Sequence, residues 1–248
     1  MIPKTIHYCW FGGNPLPKDV EKCIASWKKF FPDYEIKEWN EKNFDVNCCD
    51  YVREAYNAKK WAFVSDYARF WILYHEGGVY FDTDVEVIKN MTSIIEKGSF
   101  MGCELLNKSE DDEPIKLWVN PGLGLGADRG LSIYKEMLEL YESIHFINEG
   151  GGCLTVVDYT TKVLKKHKWI GKGEIEKIED IIIYPDEYFC PLNYRTGELN
   201  ITDNTYSIHW YTASWQSRYS RFKSKVQKIL GSRITNKVIQ VKKRFKNK

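Results

Sequence analysis

The sequence has few of the features that mark disordered, membrane-spanning or secreted proteins. Its 248 residues include only 8 prolines and no low-complexity segment, and 43% are hydrophobic, which is typical of a globular chain. No run approaches the roughly 18 apolar residues that a membrane-spanning helix needs. The first residues lack the charged start, apolar stretch and cleavage site of a secretory signal. We therefore expect neither a secreted nor an integral membrane protein.

The cysteines give no sign of a disulfide framework or a zinc site. There are 7 of them, an odd number, and no two form a CxxC pair. Cys48 and Cys49 are adjacent, which suits neither a disulfide framework nor a tetrahedral metal site. We expect these thiols to be small buried side chains in a reducing compartment.

The net charge of +2 conceals an uneven distribution. Residues 217–248 hold twelve Lys or Arg and no Asp or Glu, so all 34 acidic residues precede them. This predicts one domain over 1–216 and a basic tail over 217–248. Apolar residues recur every three or four positions in the tail, which predicts an amphipathic helix on an anionic membrane surface. A helix packed on the domain is the alternative, and nucleic acid is disfavoured because the acidic body would repel it.

Alternating strand and helix signals predict an α/β fold. Strands over 5–11 and 34–39 flank a helix that begins near Pro17, an opening typical of a doubly wound sheet. A stronger helix over 62–76 ends at a Gly-Gly pair. The remaining predictions are a short helix after Asp50, a strand pair or bent strand over 79–87, helices near 130–141 and 155–166, and strands near 181–184 and 206–210.

The central candidate site is Asp82-Thr83-Asp84, which follows an apolar and aromatic run. In an extended segment, residues i and i+2 project to the same side, so the two carboxylates would converge on one point. A hard divalent ion such as Mg²⁺ or Mn²⁺ would relieve their repulsion and keep positions open for phosphate oxygens. Aspartates are also common in solvated turns, but emergence from a buried strand favours the metal site.

The helix just upstream carries a second polar pair, Asp66 and Arg69, at positions i and i+3. An ordinary surface ion pair is the structural alternative. The Gly77-Gly78 turn would let the chain double back, so that both side chains face the same cleft as the two aspartates. The predicted core stripe of this helix is Phe63, Tyr67, Phe70 and Tyr74.

Two segments of the sequence resemble a known family, glycosyltransferase family 32. The resemblance is carried by FVSDYARFWILYHEGGVYFDTD at 63–84 and by IPKTIHYCWFGG at 2–13. The family includes fungal initiating α-1,6-mannosyltransferases and bacterial capsule-synthesis transferases, and the clostridial glucosylating toxins are more distantly similar. The resemblance implies a GT-A fold, in which a mostly parallel mixed sheet flanked by helices binds a nucleotide-sugar.

The resemblance also implies how the donor and the metal are held. Asp84 would be a direct ligand of Mn²⁺ or Mg²⁺, and Asp82 would act through water or the ribose. His209 would complete the metal sphere through a neutral imidazole, the alternative being a packed core histidine. The other implied donor contacts are a base-stacking Trp10, Asp66 and Arg69 on the sugar and ribose, Tyr80 near the diphosphate, Asn120 on the transferred sugar, and a lid of Ser214 and Trp215.

Trp10 and Asn120 each have a simpler structural reading. Trp10 is a candidate core tryptophan, because large aromatic side chains are mostly buried. Asn120 precedes a proline, and an Asn-Pro pair commonly forms a turn.

The residues and the resemblance together predict a metal-dependent glycosyltransferase that moves a hexose from a nucleotide-sugar to a glycan, and the resemblance implies retention of anomeric configuration. A UDP-sugar is the first expectation for the donor and GDP-mannose the second, in capsule or other surface polysaccharide synthesis. A lipid-linked acceptor would place the protein in the cytoplasm, peripherally attached to the inner face of the cell membrane. No catalytic base stands out.

Two other classes of protein stay open. A haloacid-dehalogenase-type phosphatase also has Asp-x-Asp after a buried strand, but it usually has Thr or Val where this chain has Glu86. A non-catalytic sugar-binding module would retain the same polar residues without turnover.

Overall fold

The structure, a computed structural model, describes residues 1–107, 116–147, 154–194 and 196–212. The predicted tail over 217–248 and the predicted lid residues Ser214 and Trp215 lie outside the described residues. Within the described ranges, no helix is long and apolar enough to cross a membrane.

Strands and helices alternate along much of the chain, as the sequence pattern predicts. In chain order they are β1 (Thr5–Cys9), α1 (Lys18–Phe30), β2 (Glu35–Trp39), α2 (Asp50–Asn57), α3 (Trp61–Glu76), β3 (Gly78–Tyr80), β4 (Val85–Val87), α4 (Thr92–Ile95), β5 (Ser99–Asn107), β6 (Lys116–Val119), β7 (Leu125–Ala127), α5 (Ser132–Glu142), α6 (Val156–Lys166), β8 (Glu176–Ile178), β9 (Ile181–Tyr184), α7 (Asp186–Phe189) and β10 (Ser207–His209).

An eight-stranded mixed sheet forms the centre of the fold. Its order is β2-β1-β3-β7-β5-β9-β8, with β6 paired to β5. The strand β1 is parallel to both β2 and β3, and β5 is parallel to β9, whereas β7 runs antiparallel between β3 and β5. The predicted α/β class, with a mixed sheet flanked by helices, is confirmed.

Side chains of the sheet alternate between two hydrophobic clusters. In β1, Ile6 and Tyr8 belong to the cluster that contains the buried side of α1, while Cys9 belongs to the cluster beneath α2, α3, α5 and α6. This alternation follows from the period of two along a strand. Both faces of the sheet are therefore covered, which keeps the strand ends as the accessible edge.

The helix α3 is buried on more sides than the predicted stripe allows. Tyr67 and Phe70 lie in the core, but Phe63 and Tyr74 are only partly buried. Further residues around the helix, namely Val64, Ala68, Ile72 and Leu73, are fully buried. The four-residue stripe was too narrow because α3 packs against neighbouring helices as well as the sheet.

The elements between residues 88 and 127 escaped sequence prediction. The strand β7 has only three residues, and its centre is Gly126, a residue depleted in strands. A Cβ atom at Gly126 would overlap the ring of Phe100, which packs against this position in the fold. Only glycine fits at this position because Phe100, in the neighbouring strand β5, fills the space of a Cβ atom. The local sequence around Gly126 does not indicate that contact.

The predicted strand pair over 79–87 is present as β3 and β4, but Asp82-Thr83-Asp84 lies in the turn between them and not in an extended segment. The chain leaves the large sheet after Tyr80, and Val85 N donates to Asp82 O at 3.0 Å. It then enters β4, which pairs antiparallel with β10 in a separate two-stranded sheet, with Val85 opposite His209. The pairing of β4 with β10 brings His209 beside the second aspartate.

Candidate active site at the turn between β3 and β4

The Asp66–Arg69 pair is buried and reaches the motif, so the alternative of a surface ion pair was wrong. Asp66 is 8% exposed and Arg69 is 3% exposed. Arg69 Nη2 donates to Asp66 Oδ1 at 2.9 Å and lies 3.3 Å from Asp82 Oδ1. One guanidinium therefore links α3 to the first aspartate of the motif.

Arg69 is fixed from several sides but retains unused hydrogen-bonding capacity. Its Nε donates to Ser65 O at 3.1 Å, and the guanidinium lies 5.2 Å from the ring centroid of Tyr80. Tyr80 also donates its hydroxyl hydrogen to Asp82 Oδ1 at 3.2 Å. Arg69 Nη1 is buried and has no hydrogen-bond partner among the described residues. A buried, unpaired N–H of a charged group is unfavourable, so this atom is suited to an oxygen of a bound ligand.

Burial governs the protonation of the two carboxyl groups beside Arg69. It raises the pKa of Asp66 to about 7, because the nearby guanidinium offsets only part of the loss of solvation. Burial also raises the pKa of Asp82, again against the opposing charge of Arg69. For Arg69, burial opposes the charged form, but the charges led by that of Asp82 outweigh it and raise the pKa above its ordinary value.

Asp84 is contacted by three residues in or just after β10: His209, Trp210 and Thr212. His209 Nε2 lies 3.0 Å from Asp84 Oδ1. Thr212 donates to Oδ2 from its backbone nitrogen at 2.9 Å and from its hydroxyl at 3.1 Å, and Trp210 N donates to Asp84 O at 2.9 Å. Both ends of this carboxylate are therefore held by the segment that contains β10.

The Asp84–His209 pair is electrostatically coupled. Burial opposes ionisation of Asp84, but the charge of His209 and the hydrogen bonds from His209 and Thr212 lower its pKa to about 2. Burial also opposes the charged imidazolium, yet Asp84 raises the pKa of His209. Cation binding at this carboxylate and imidazole would release the imidazole proton.

The geometry of this pair fits a divalent ion. Asp84 Oδ1 and His209 Nε2 lie 3.0 Å apart, the separation of a hydrogen bond, and two ligands of one octahedral ion with bonds of about 2.1 Å would lie equally close. In the described part of the chain, no three His, Cys, Asp or Glu side chains form a metal-binding group. Two protein ligands leave room for water and phosphate oxygens, as is common for Mg²⁺ sites.

Asn120 forms the turn that its Asn-Pro sequence predicts. It is 7% exposed, and its Oδ1 accepts from Gly122 N at 2.7 Å. Gly122 O in turn accepts from Asp82 N at 3.2 Å. A Cβ atom at Gly122 would overlap Asp82 Oδ2. The turn therefore supports the first aspartate directly, while a contact between Asn120 and a sugar stays a prediction.

Trp10 lies at the same edge of the sheet as the motif. It follows β1, and Asp82 follows the neighbouring parallel strand β3, so both emerge at the carboxyl ends of their strands. Trp10 is partly buried, and its Nε1 donates to Asn14 O at 2.6 Å. Its stacking on a nucleotide base stays a prediction.

Sequence reasoning missed three residues of the site: Glu104, Tyr211 and Thr212. Glu104 Oε2 accepts hydrogen bonds from Tyr211 Oη at 2.6 Å and from Asn120 Nδ2 at 2.7 Å. Tyr211 and Thr212 directly follow His209-Trp210, so their proximity to His209 was available as a signal. Glu104 had no local signal, because its partners are 16 and 107 residues away.

A comparison with protein-family models identifies this region. Residues 17–101 match the family described as the glycosyltransferase sugar-binding region containing a DXD motif. The matched range includes Asp66, Arg69 and both motif aspartates. Residues 17–101 of this chain are therefore similar to the sugar-binding region of that glycosyltransferase family. The resemblance recognised from the sequence is thereby confirmed.

Curated relatives are glycosyltransferases of greater length. Inositol phosphoceramide mannosyltransferase 1 of Schizosaccharomyces pombe is 29% identical over 40% of this chain and 33% of its own length. The initiation-specific alpha-1,6-mannosyltransferase of Candida albicans is 23% identical, covering 87% of this chain and 72% of that protein. The chain thus spans about a third of the first relative.

Two solved structures with a distant likeness are also glycosyltransferases by name. The PaToxG glycosyltransferase has a TM-score of 0.45 and 18% identity, covering 66% of this chain and 69% of that one. A glycosyltransferase involved in glycosylation of the major capsid of PBCV-1 has a TM-score of 0.45 and 16% identity, covering 88% and 96%.

Proposed function

We propose that this glycosyltransferase is metal-dependent and transfers a hexose from a nucleotide-sugar to a glycan hydroxyl, with retention of anomeric configuration. The observation that carries the proposal is the buried Arg69, whose Nη1 lacks a partner among the described residues, beside Asp82. A fixed guanidinium with an unpaired N–H next to a carboxylate pair suits a donor that carries both phosphates and hydroxyls.

Asp84 and His209 are the residues that would hold Mn²⁺ or Mg²⁺, through Oδ1 and Nε2. These two atoms face each other at hydrogen-bond distance, so an ion that displaced the proton between them would contact both. A divalent ion at this place supplies positive charge that stabilises a departing nucleoside diphosphate. Asp82 is held by Arg69 and Tyr80 and would act through water or the ribose.

Arg69 would position the donor without rearranging. Its contacts with Ser65, Asp66 and Asp82 hold the guanidinium in place before a ligand binds. Its raised pKa keeps it charged. A preorganised charge in a water-poor site stabilises developing negative charge more than a mobile one does.

The donor is a UDP-sugar or GDP-mannose. The resemblance of the sequence covers users of both. Two relatives are mannosyltransferases by name, which supports mannose as the hexose to test first. Retention rests on the resemblance to family 32, and no residue is assigned as a catalytic base.

The acceptor proposal is a glycan, lipid-linked in capsule or other surface polysaccharide synthesis. One relative is named for transfer to inositol phosphoceramide, a lipid, which supports an acceptor at a membrane. The basic sequence of 217–248 supports peripheral attachment to an anionic cytoplasmic leaflet.

A donor screen tests the proposal. UDP- and GDP-sugars are incubated with Mn²⁺ and the protein, and release of nucleoside diphosphate is measured with and without glycan acceptors. We expect one donor class to give release, and chelation by EDTA to abolish it. Phosphatase activity without diphosphate release would instead indicate the haloacid-dehalogenase alternative. Saturable binding of nucleotide-sugar without turnover would indicate a sugar-binding module.

A further inference from the structure

Glu104 joins the two halves of the aspartate motif. It lies in β5, and a single oxygen, Oε2, accepts hydrogen bonds from Tyr211 Oη at 2.6 Å and from Asn120 Nδ2 at 2.7 Å. Tyr211 follows β10 and Asn120 follows β6, so one carboxylate gathers two segments that are distant in the chain. Each of these partners leads to a different aspartate.

Through Tyr211, Glu104 is connected to the residues that contact Asp84. The ring of Tyr211 lies 4.1 Å from that of His209 in an edge-on contact, and the next residue, Thr212, donates to Asp84 Oδ2. The backbone of Tyr211 has a φ of 48°, a left-handed conformation that is unfavourable for a large side chain. Such a conformation persists only where its surroundings hold it, and the hydrogen bond to Glu104 anchors the far end of this side chain.

Through Asn120, Glu104 is connected to the turn that contacts Asp82. While Nδ2 of Asn120 is held by Glu104, its Oδ1 accepts from Gly122 N at 2.7 Å. Gly122 O accepts from Asp82 N at 3.2 Å, and the Cα of Gly122 packs against the Asp82 carboxylate too closely to admit a Cβ. Rotation of Asn120 would therefore displace the turn on which Asp82 rests.

We propose that Glu104 is a positioning residue, whose carboxylate sets the relative placement of Asp82 and Asp84 for binding a divalent cation and nucleoside diphosphate. The proposal rests on the function proposed above. A charged acceptor is suited to this role because its hydrogen bonds are roughly twice as strong as those to a neutral oxygen. Glutamine at this position keeps the shape but loses the charge.

Binding of Mn²⁺ alone, without donor, tests the proposal in the full-length protein. We expect Glu104→Ala to raise the Mn²⁺ Kd about fivefold, less than the roughly 10–100-fold effect of residues that hydrogen-bond a metal ligand directly, because Glu104 acts through Tyr211 and Asn120. Glu104→Gln keeps the hydrogen-bonding shape, so we expect its Mn²⁺ Kd to be only about threefold above that of wild type. It also tests the proposal if the alanine variant does not fold. Tyr211→Phe removes the contacts of the hydroxyl with Glu104 and Cys190, and in a double variant it should add little to the effect of Glu104→Ala.

The matched control is Glu86→Gln. Glu86 Oε2 accepts from Trp210 Nε1 at 2.8 Å in an exposed hydrogen bond. This variant therefore also replaces a glutamate that binds a residue of the segment after β10, but at the surface. We expect its Mn²⁺ Kd to stay within about twofold of wild type. Melting temperatures of all variants separate loss of positioning from loss of the fold.

A second readout separates positioning from a general structural effect. With the active donor, Glu104→Gln should lower kcat more than it raises the donor KM, because misplacement affects the transition state more than binding. Two results would overturn the proposal: a wild-type Mn²⁺ Kd in folded Glu104→Ala, or equal weakening in Glu86→Gln. Failure of wild type to bind Mn²⁺ would overturn it as well. Wild-type Mn²⁺ binding without turnover of any nucleotide-sugar would instead refute only the proposed function.

Discussion

At the scale of single residues, Asp84 is the most constrained carboxylate of the site. Its two oxygens are shared between His209 and Thr212, and its backbone oxygen accepts from Trp210. These contacts explain why its pKa falls to about 2 although partial burial opposes its ionisation. Removal of its charge should therefore affect chemistry more than shape.

We expect Asp84→Asn to lose more than about 100-fold of Mn²⁺-dependent turnover while the protein stays folded. The amide oxygen can still accept from Thr212, whereas the anionic ligand beside His209 is lost. Steady-state turnover at rising Mn²⁺ and far-UV circular dichroism check this. Asp82→Asn should be similar or somewhat milder. Near-normal activity of Asp84→Asn at saturating Mn²⁺ would contradict the metal assignment.

Arg69 has a structural role in addition to its proposed role in donor binding. It is the guanidinium that contacts both Asp66 and Asp82, and Arg69→Ala would leave these carboxyl groups buried without it. We expect the donor KM to rise at least about tenfold, and the free energy of unfolding to fall by about 3 kcal/mol. Mn²⁺ binding should persist. Donor kinetics and urea unfolding provide the measurements.

The control for this variant is Arg53→Ala. Arg53 pairs with Asp50 at 2.6 Å and at the same i,i+3 spacing, but both side chains are about half exposed. Removal of an exposed pair of this kind changes the free energy of unfolding by less than about 1 kcal/mol. Equal losses of stability in the two variants would show that burial of the Asp66–Arg69 pair has no energetic consequence.

At the scale of elements, the return from α3 to β3 depends on Gly78. Its φ is 103°, and an added Cβ atom would lie 2.7 Å from Thr5 O and 2.8 Å from His7 Nε2. We expect Gly78→Ala to lower the free energy of unfolding by more than about 2 kcal/mol, because it adds a clash to the backbone strain. Gly130 has a φ of 79° with nothing within 4 Å, so Gly130→Ala should lose only about 1 kcal/mol. Chemical denaturation measures the free energy of unfolding of both variants. An equal decrease in the two would contradict the expected clash of a Cβ atom at position 78 with Thr5 and His7.

The packing of α5 and α6 includes a pH-sensitive contact. His167 follows α6, and its imidazole nitrogens lie 2.7 Å from Glu136 and 2.6 Å from Glu179. The hydrogen bond with Glu136 is the main reason that the pKa of His167 is raised, against a smaller effect of burial. This contribution to stability is complete below the unfolded pKa of about 6.5, and it is lost as pH rises through the folded pKa.

We therefore expect wild-type stability to fall as pH rises above about 6.5, and His167→Gln to flatten this part of the profile. The measurement is the free energy of unfolding from urea titrations at several pH values. His145→Gln is the control, because His145 pairs with Glu54 at 2.8 Å with 68% of its side chain exposed. His145→Gln should change the dependence of the free energy of unfolding on pH less than His167→Gln does. An unchanged profile in His167→Gln would contradict the assignment.

At the scale of the whole molecule, the basic sequence of 217–248 predicts a membrane contact. Each basic residue near an anionic surface contributes about 1 kcal/mol, and this range holds twelve. Deletion of 217–248 should reduce binding to phosphatidylserine vesicles more than it reduces activity on a soluble acceptor. High salt should weaken binding of the full chain. Equal binding of both proteins to anionic and neutral vesicles would refute the attachment.

The sequence by itself determined the elements and residues whose signals are local. The helix α1 has Val20, Ile24 and Trp27 on its buried side at helical spacing, and its predicted position is confirmed. The helix α3, the strand β9 and the Gly-Gly turn were likewise predicted close to their positions in the fold. The motif aspartates and the Asp66–Arg69 pair were also recognisable, because family resemblance resides in short contiguous runs.

Only the tertiary structure decided how these residues meet. A sequence pattern reports neighbours within a few positions, but the contacts of the site join residues that are far apart. Arg69 reaches Asp82, Asp84 meets His209 across the β4–β10 pairing, and Glu104 receives hydrogen bonds from residues 16 and 107 positions away. Even the turn at the motif depends on β4 joining a second sheet. Such contacts are set by packing of distant segments, which no local period encodes.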